Sequence, residues 1–256
     1  MFKFLRIAIL LLILFTVKQE TWLAHSRAVS WRNPLRVAIY PINGDGSATA
    51  ATYIQGIKPT SFASIDRFFE EEARRHGLAI HHPVEVTVAP AVVTLPPQPP
   101  RGGTALDNVF WSLNMRYWAW RHDAVPGMKP QVRLFVLFFD PATHPSLPHS
   151  VGVDRGMIGL INAFATHAMA GSNAVIISHE LLHTLGATDK YEFGSNLPRF
   201  PDGYADPERS PRYPQAFAEI MGGRIPLSES RAEIPDSLEQ TLIGTATAAE
   251  IGWIKK

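Results

Sequence analysis

His179-Glu180-Leu181-Leu182-His183-Thr184-Leu185-Gly186-Ala187-Thr188-Asp189 sets the reading of the rest of the chain. It contains H-E-x-x-H, then Gly186, then an aspartate. On an α-helix, residues four apart differ by about 40° around the axis and about 6 Å along it. His179 and His183 therefore point the same way and can share one metal ion. Zinc accepts neutral imidazole nitrogen and carboxylate oxygen in a tetrahedral shell. Glu180 is turned about 100° from His179, a position that suits a general base beside a metal-activated water better than a ligand. Ala174, Ile177, Leu181 and Leu185 recur at three- and four-residue spacing and form an apolar stripe roughly opposite the histidines. Ser172 or Asn173 is expected to cap the start of the helix. Gly186 is expected in the left-handed position that ends it, in a turn that can bring Asp189 back as a third ligand. The same short motif arises by chance on surface helices. What separates this stretch from that case is the caps, the opposing stripe, the glycine and the carboxylate together.

The pattern resembles that of the metzincin zinc peptidases, H-E-x-x-H-x-x-G-x-x-H followed by a methionine-containing turn. Asp189 stands where most of that family has histidine, as in the snapalysin variant, and Glu219-Ile220-Met221-Gly222-Gly223 matches the methionine turn. The resemblance covers about 179 to 223. It implies a Zn2+ ion held by His179, His183 and Asp189, with Met221 packing below the ligands. It also implies an edge strand to which an extended peptide substrate pairs. The aspartate, the long stretch before Met221 and the lack of a tyrosine just after it depart from the better-known members.

Composition narrows the alternatives. The chain has 256 residues, 46% of them hydrophobic and 18% charged, enough for one domain with a sizeable core. A net charge of +1 gives no sign of a nucleic-acid partner. With no cysteine there are no disulfides, thiol nucleophiles or thiolate metal sites, so any zinc must use nitrogen and oxygen ligands. Lys3 and Arg6 precede the apolar run from Ile7 to Val17. This predicts that 1–30 is a signal peptide or an N-terminal signal anchor, the latter a membrane partner through a transmembrane helix, and that 31–256 is the functional domain outside the cytoplasm.

Along that domain, 35–42 reads as a strand and Asn43-Gly44-Asp45-Gly46 as a turn. A helix capped by Thr60 or Ser61 is expected to run to about His76, with Phe62, Ile65, Phe68 and Phe69 buried and Glu70, Glu71 and Glu72 wet. The strand at 84–89 completes a crossover unit, which favours parallel pairing. A proline-rich loop leads to a helix over 105–122, whose many aromatic residues are read as packing. Strands follow at 131–139 and 157–164. His144, His149 and His167 are read as loop or surface histidines. The proline- and aromatic-rich segment 191–215 is read as an ordered loop beside the cleft. Asp202, Asp206 and Glu208 there are weak candidates for calcium, since their spacing does not fit the EF-hand loop. Tyr191, Tyr204 and Tyr213 are candidate donors to a developing oxyanion. A terminal helix is expected over 237–253.

These readings predict an α+β domain with a twisted mixed sheet packed on helices, an active-site helix and a smaller irregular C-terminal part. The expected function is zinc-dependent hydrolysis of a peptide or protein substrate, with Glu180 as the base. Two other readings stay open: a membrane-anchored zinc-binding structural or assembly module, which has no need of Glu180, and an amidase on a non-peptide envelope substrate. Glu219 also stays open as the third ligand in place of Asp189.

Overall fold

The computed structural model describes residues 25–255 except 101, 126, 128, 148, 149 and 154–156, together with 19 and 23. Strand β1 (Leu35–Asn43) alternates in the way a doubly covered strand must: Val37 and Ile39 face one core, and Ala38, Tyr40 and Ile42 face another. A strand buried on both faces carries an almost unbroken apolar run, and β3 (Val132–Phe139) repeats the pattern. Leu134, Val136 and Phe138 join the first core, and Phe135 and Leu137 the second. With β2 (Val84–Val88), β4 (Val151–Val153) and β5 (Ile158–Phe164) they form a five-stranded sheet in the order β2-β1-β3-β5-β4. The first three pairings are parallel and β4 lies antiparallel on the outer edge of β5. The expected parallel crossover from β1 to β2 is present, with Val37 beside Val86.

Helices cover both faces of the sheet. Helix α1 (Ala48–Gln55) has no counterpart in the sequence reading; it is short, and Ser47 caps it by accepting from the Ala50 amide. Helix α2 (Ala63–Arg75) buries Ile65, Phe68 and Phe69 in the first core as expected. A 3-10 turn at Pro59–Phe62 precedes it, so neither Thr60 nor Ser61 is its cap. Glu72, read as solvated, is buried and accepts hydrogen bonds from Arg75 and the Ile243 amide. Helix α3 (Ala105–Arg121) lies on the second face, where Met115 and Ala119 are buried beside Trp111 and Trp118.

Helix α4 (Ala170–Thr184) carries the motif and packs its stripe of Ala174, Ile177 and Leu181 into the first core. Its start differs from expectation. A 3-10 turn at His167–Met169 leads directly into it, and neither Ser172 nor Asn173 caps it. Asn173 instead bonds both backbone groups of Phe164, tying the helix to the end of β5.

From 187 onward the chain is irregular. The strand β6 (Ala218–Glu219) pairs with β9 (Thr241–Leu242), and β7 (Ile225–Pro226) with β8 (Ala232–Glu233). The terminal helix α5 (Thr245–Glu250) is far shorter than the 237–253 span expected, because 238–242 is taken up by a 3-10 turn and by β9. The fold is thus α+β, a mixed and mostly parallel sheet between helices.

The expectation of a transmembrane helix is corrected. Among the described residues no helix is long and apolar enough to cross a membrane. The apolar run at 7–17 lies outside the described residues, as does His149.

Candidate metal centre

Helix α4 ends in a turn that builds half of the site. The Gly186 amide donates to the His183 carbonyl at 3.0 Å and the Ala187 amide to the Leu182 carbonyl at 3.1 Å. This is the Schellman pairing, which requires a left-handed residue between; Gly186 supplies it at φ 97°. Leu182 and Ala187, both buried, accompany the turn as the motif's apolar contact. The turn then points the Ala187 carbonyl back at the helix, 2.9 Å from His183 Nδ1. Two residues later Asp189 reaches the histidines.

The other half comes from the turn after β6. Its Ile220 carbonyl lies 2.9 Å from His179 Nδ1. Each imidazole therefore directs Nδ1 at a carbonyl oxygen, which places the ring hydrogen there and leaves the Nε2 lone pair facing inward. The two Nε2 atoms are 3.0 Å apart, and Asp189 Oδ1 lies 3.3 Å from His179 Nε2 and 3.1 Å from His183 Nε2. Ligands about 2.0–2.1 Å from a tetrahedral zinc ion stand about 3.3 Å from one another. Three acceptor atoms are thus gathered at ligand spacing. Asp189 Oδ1 is buried and faces the two imidazole nitrogens. These residues fit a divalent cation of zinc's size and preference.

The electrostatics agree. Burial raises the Asp189 carboxyl, but hydrogen bonding to His179 and His183 and their charge lower it further, to well below the usual carboxylate range. For His183, burial lowers the imidazole, and Asp189, Glu180 and the Ala187 carbonyl raise it above its ordinary value. Both directions mean that the pocket favours positive charge at its centre.

Glu180 is buried, and ligating atoms of His179, Glu180 and His183 lie within 4.8 Å of one another. Two carboxylates therefore border the centre. Asp189 Oδ1 stands at ligand spacing from both imidazoles. Tyr191 lies against both acids. Burial, the charge of Asp189, a hydrogen bond to it and the charge of Glu180 push its phenol up to about 12, so it remains an O–H donor. Tyr204 and Tyr213 are engaged with each other at 2.8 Å.

Glu219 is not placed as a ligand. It is fully buried, with Oε2 accepting from the Gly222 amide at 2.8 Å. Oε1 accepts from the Gly244 amide at 3.1 Å and the Thr247 hydroxyl at 2.6 Å. Burial raises its carboxyl above the ordinary value. Its role is to shape the turn that carries the Ile220 carbonyl and Met221, which is itself fully buried. At Gly222 an added Cβ would fall 2.5 Å from the Gly203 carbonyl oxygen, so only glycine fits there. Asp202, Asp206 and Glu208 form no ligand cluster among the described residues. His144 and His167 are away from the centre, against Phe139 and Tyr53 respectively.

One part of the site escapes sequence reasoning. Lys190, only 5% exposed in its side chain, donates to Glu250 Oε2 at 2.7 Å and to the Thr188 carbonyl at 3.0 Å. Glu250 also accepts from the Thr188 amide at 2.9 Å and hydroxyl at 2.7 Å. The residues on both sides of Asp189 are therefore strapped to helix α5. A glutamate 61 positions from Asp189, in a helix of ordinary composition, carries no local signal.

No protein-family model matches the chain, and no curated protein matches it in sequence.

Proposed function

We propose that this is a zinc-dependent peptidase of metzincin type working outside the cytoplasm. His179, His183 and Asp189 would hold the metal and Glu180 would act as base. The observation that carries the reading is the convergence of two imidazole nitrogens and a buried carboxylate oxygen at mutual distances of 3.0 to 3.3 Å. Bound there, zinc supplies Lewis acidity toward a scissile carbonyl and toward an attacking water. The Glu180 carboxylate takes one proton from that water as its oxygen adds to the carbonyl carbon. It returns the proton to the amide nitrogen as the carbon–nitrogen bond breaks. The Tyr191 hydroxyl, kept protonated beside Asp189 and Glu180, would turn to donate to the oxyanion. Strand β4 offers an outer edge beside helix α4, and an extended chain adds to such an edge by backbone hydrogen bonds. The basic start and apolar run of the N-terminus support export.

The test pairs metal analysis with digestion of a mixed peptide library read by mass spectrometry. Glu180→Gln cannot accept the proton, so cleavage should fall by about 10²–10⁴-fold while zinc content holds. Bound zinc with no cleavage by the native chain would point to a non-catalytic metal module. Cleavage that survives Glu180→Gln would remove the assigned base.

A further inference from the structure

Helix α3 is apolar on two opposite sides; the described residues cover one, and leave most of the other exposed, with Leu113 at its middle half-buried. Taking about 100° per residue, Trp111, Trp118 and Ala119 lie within about 60° of Met115, on the side packed against the sheet. Leu106, Phe110, Leu113, Tyr117 and Trp120 lie within about 40° of the opposite direction. Of these, Leu106 is 66% exposed, Phe110 59%, Tyr117 59% and Trp120 69%. A helix apolar on both sides is ordinarily buried on both. The outer residues step by four, three, four and three, the spacing of a helix–helix seam.

We propose that this face binds a second copy of the chain, helix α3 against helix α3, antiparallel about a two-fold axis at Leu113. The seam reads nearly the same in both directions. Leu106 then meets the partner's Trp120, Phe110 meets the partner's Tyr117, and Leu113 meets its own equivalent. The charges select this arrangement. Asp107 and Arg121, at opposite ends of the helix, flank the seam on the same side. In an antiparallel pair equal flanks meet, so Asp107 faces the partner's Arg121, and symmetry makes the ion pair twice. On the other flank Arg116 falls opposite Val109 and Ser112 and meets no like charge. A parallel pair lacks the acid–base match.

The size of the face sets the strength. Large aromatic side chains bury about 150–250 Å² each, so three that are about three-fifths exposed leave roughly 350 Å². Adding Leu106 keeps the face well under the ~800 Å² per partner of a standard stable interface. The pair is therefore a weak one, in the micromolar range.

The chain has no cysteine, so single cysteines report the register cleanly. Under mild oxidation the full chain carrying Leu113→Cys should link to itself. Phe110→Cys alone should not, whereas Phe110→Cys mixed with Tyr117→Cys should. Sedimentation equilibrium of the full chain should show a monomer–dimer equilibrium, weakened by about tenfold or more in Arg121→Glu, which sets two carboxylates against each other. A chain that stays monomeric at about 100 μM overturns the proposal. So does association that leaves Leu113→Cys unlinked, which would place the contact elsewhere, such as the apolar stretch at 7–17.

Discussion

Glu250→Gln tests whether the metal site is held from outside its own ligands. Glu250 lies on helix α5 and touches none of His179, His183 or Asp189; it acts only through Thr188 and Lys190. Glutamine can keep its carbonyl at the Oε2 position, facing the Thr188 amide and Lys190, and its amide can donate to the Thr188 hydroxyl. Shape and most hydrogen bonds survive, and the negative charge is lost. The Lys190 ammonium, 5% exposed, then loses its paired carboxylate and keeps only the more distant charge of Glu219. Removing one partner of a buried pair costs about 3–5 kcal/mol. Glu250 is 23% exposed in its side chain, so screening puts the expected loss at the low end or below, about 2 kcal/mol. Part should appear as lower stability and part as looser placement of Asp189. Loss of groups that orient metal ligands weakens binding by about 10–100-fold, and that is the shift expected here. The assay is zinc competition against a chromophoric chelator, with thermal unfolding of the metal-free chain measured alongside. If the stability falls and zinc affinity is unchanged, the strap is structural only and the reasoning fails. Acidity gives a second check. Burial raises the Glu250 carboxyl, but the bond to Lys190 and those to Thr188 lower it by more, below its ordinary value. Its contribution is therefore complete above about pH 4.3 and is lost only as pH falls through the lowered value. Metal lost at higher pH, as His183 with its raised imidazole takes up a proton, should be as steep in Glu250→Gln as in the native chain.

Two further substitutions probe the centre. Asp189→Ala removes the carboxylate oxygen that faces both Nε2 atoms and should release most of the zinc, whereas Glu219→Ala should disturb folding before it empties the site. A loaded Asp189→Ala beside an empty but folded Glu219→Ala, judged by metal content and circular dichroism, would reverse the ligand assignment. Tyr191→Phe should keep its zinc and lower kcat by about 10²–10³-fold, the usual cost of one oxyanion donor, with little change in KM; an unchanged kcat would leave Tyr191 as packing.

The sheet and the motif were legible in the sequence because both are periodic. Strands β1 and β3 announce themselves as apolar runs between turn signals, and helix α4 shows a stripe at helical spacing that ends at Gly186. What failed was local and depended on partners far away. Asn173 has the chemistry of a cap, but its amide found the Phe164 backbone instead. Glu72 reads as a wet residue within an acidic run, until the Ile243 amide from a distant segment takes its carboxylate. The span 237–253 has helical spacing, yet half of it pairs or turns because β6 needs a partner. In the site, that His179, Glu180, His183 and Asp189 lie together was readable from spacing. Glu219 and Asp189 were not separable as ligands until the donors around Glu219 were known.

That last distinction has a physical basis in the kind of groups facing each acid. Around Glu219 every near neighbour donates: two backbone amides and a hydroxyl aim hydrogens at its two oxygens. A carboxylate so surrounded is satisfied and has no lone pair in want of a cation. Around Asp189 Oδ1 the near neighbours are imidazole nitrogens whose hydrogens are committed to the Ala187 and Ile220 carbonyls. Three acceptors facing one another repel, and folding does not bring them to about 3 Å without something positive between them. In the bare chain a proton can play that part, which is why the Asp189 carboxyl is lowered and the His183 imidazole raised. A divalent cation plays it better, because it meets all three lone pairs at once. The carbonyls that fix the rings come from the two turns that flank the centre, one ending helix α4 and one shaped by the buried Glu219. The buried acid that is satisfied by its donors thus sets the orientation of the His179 ring.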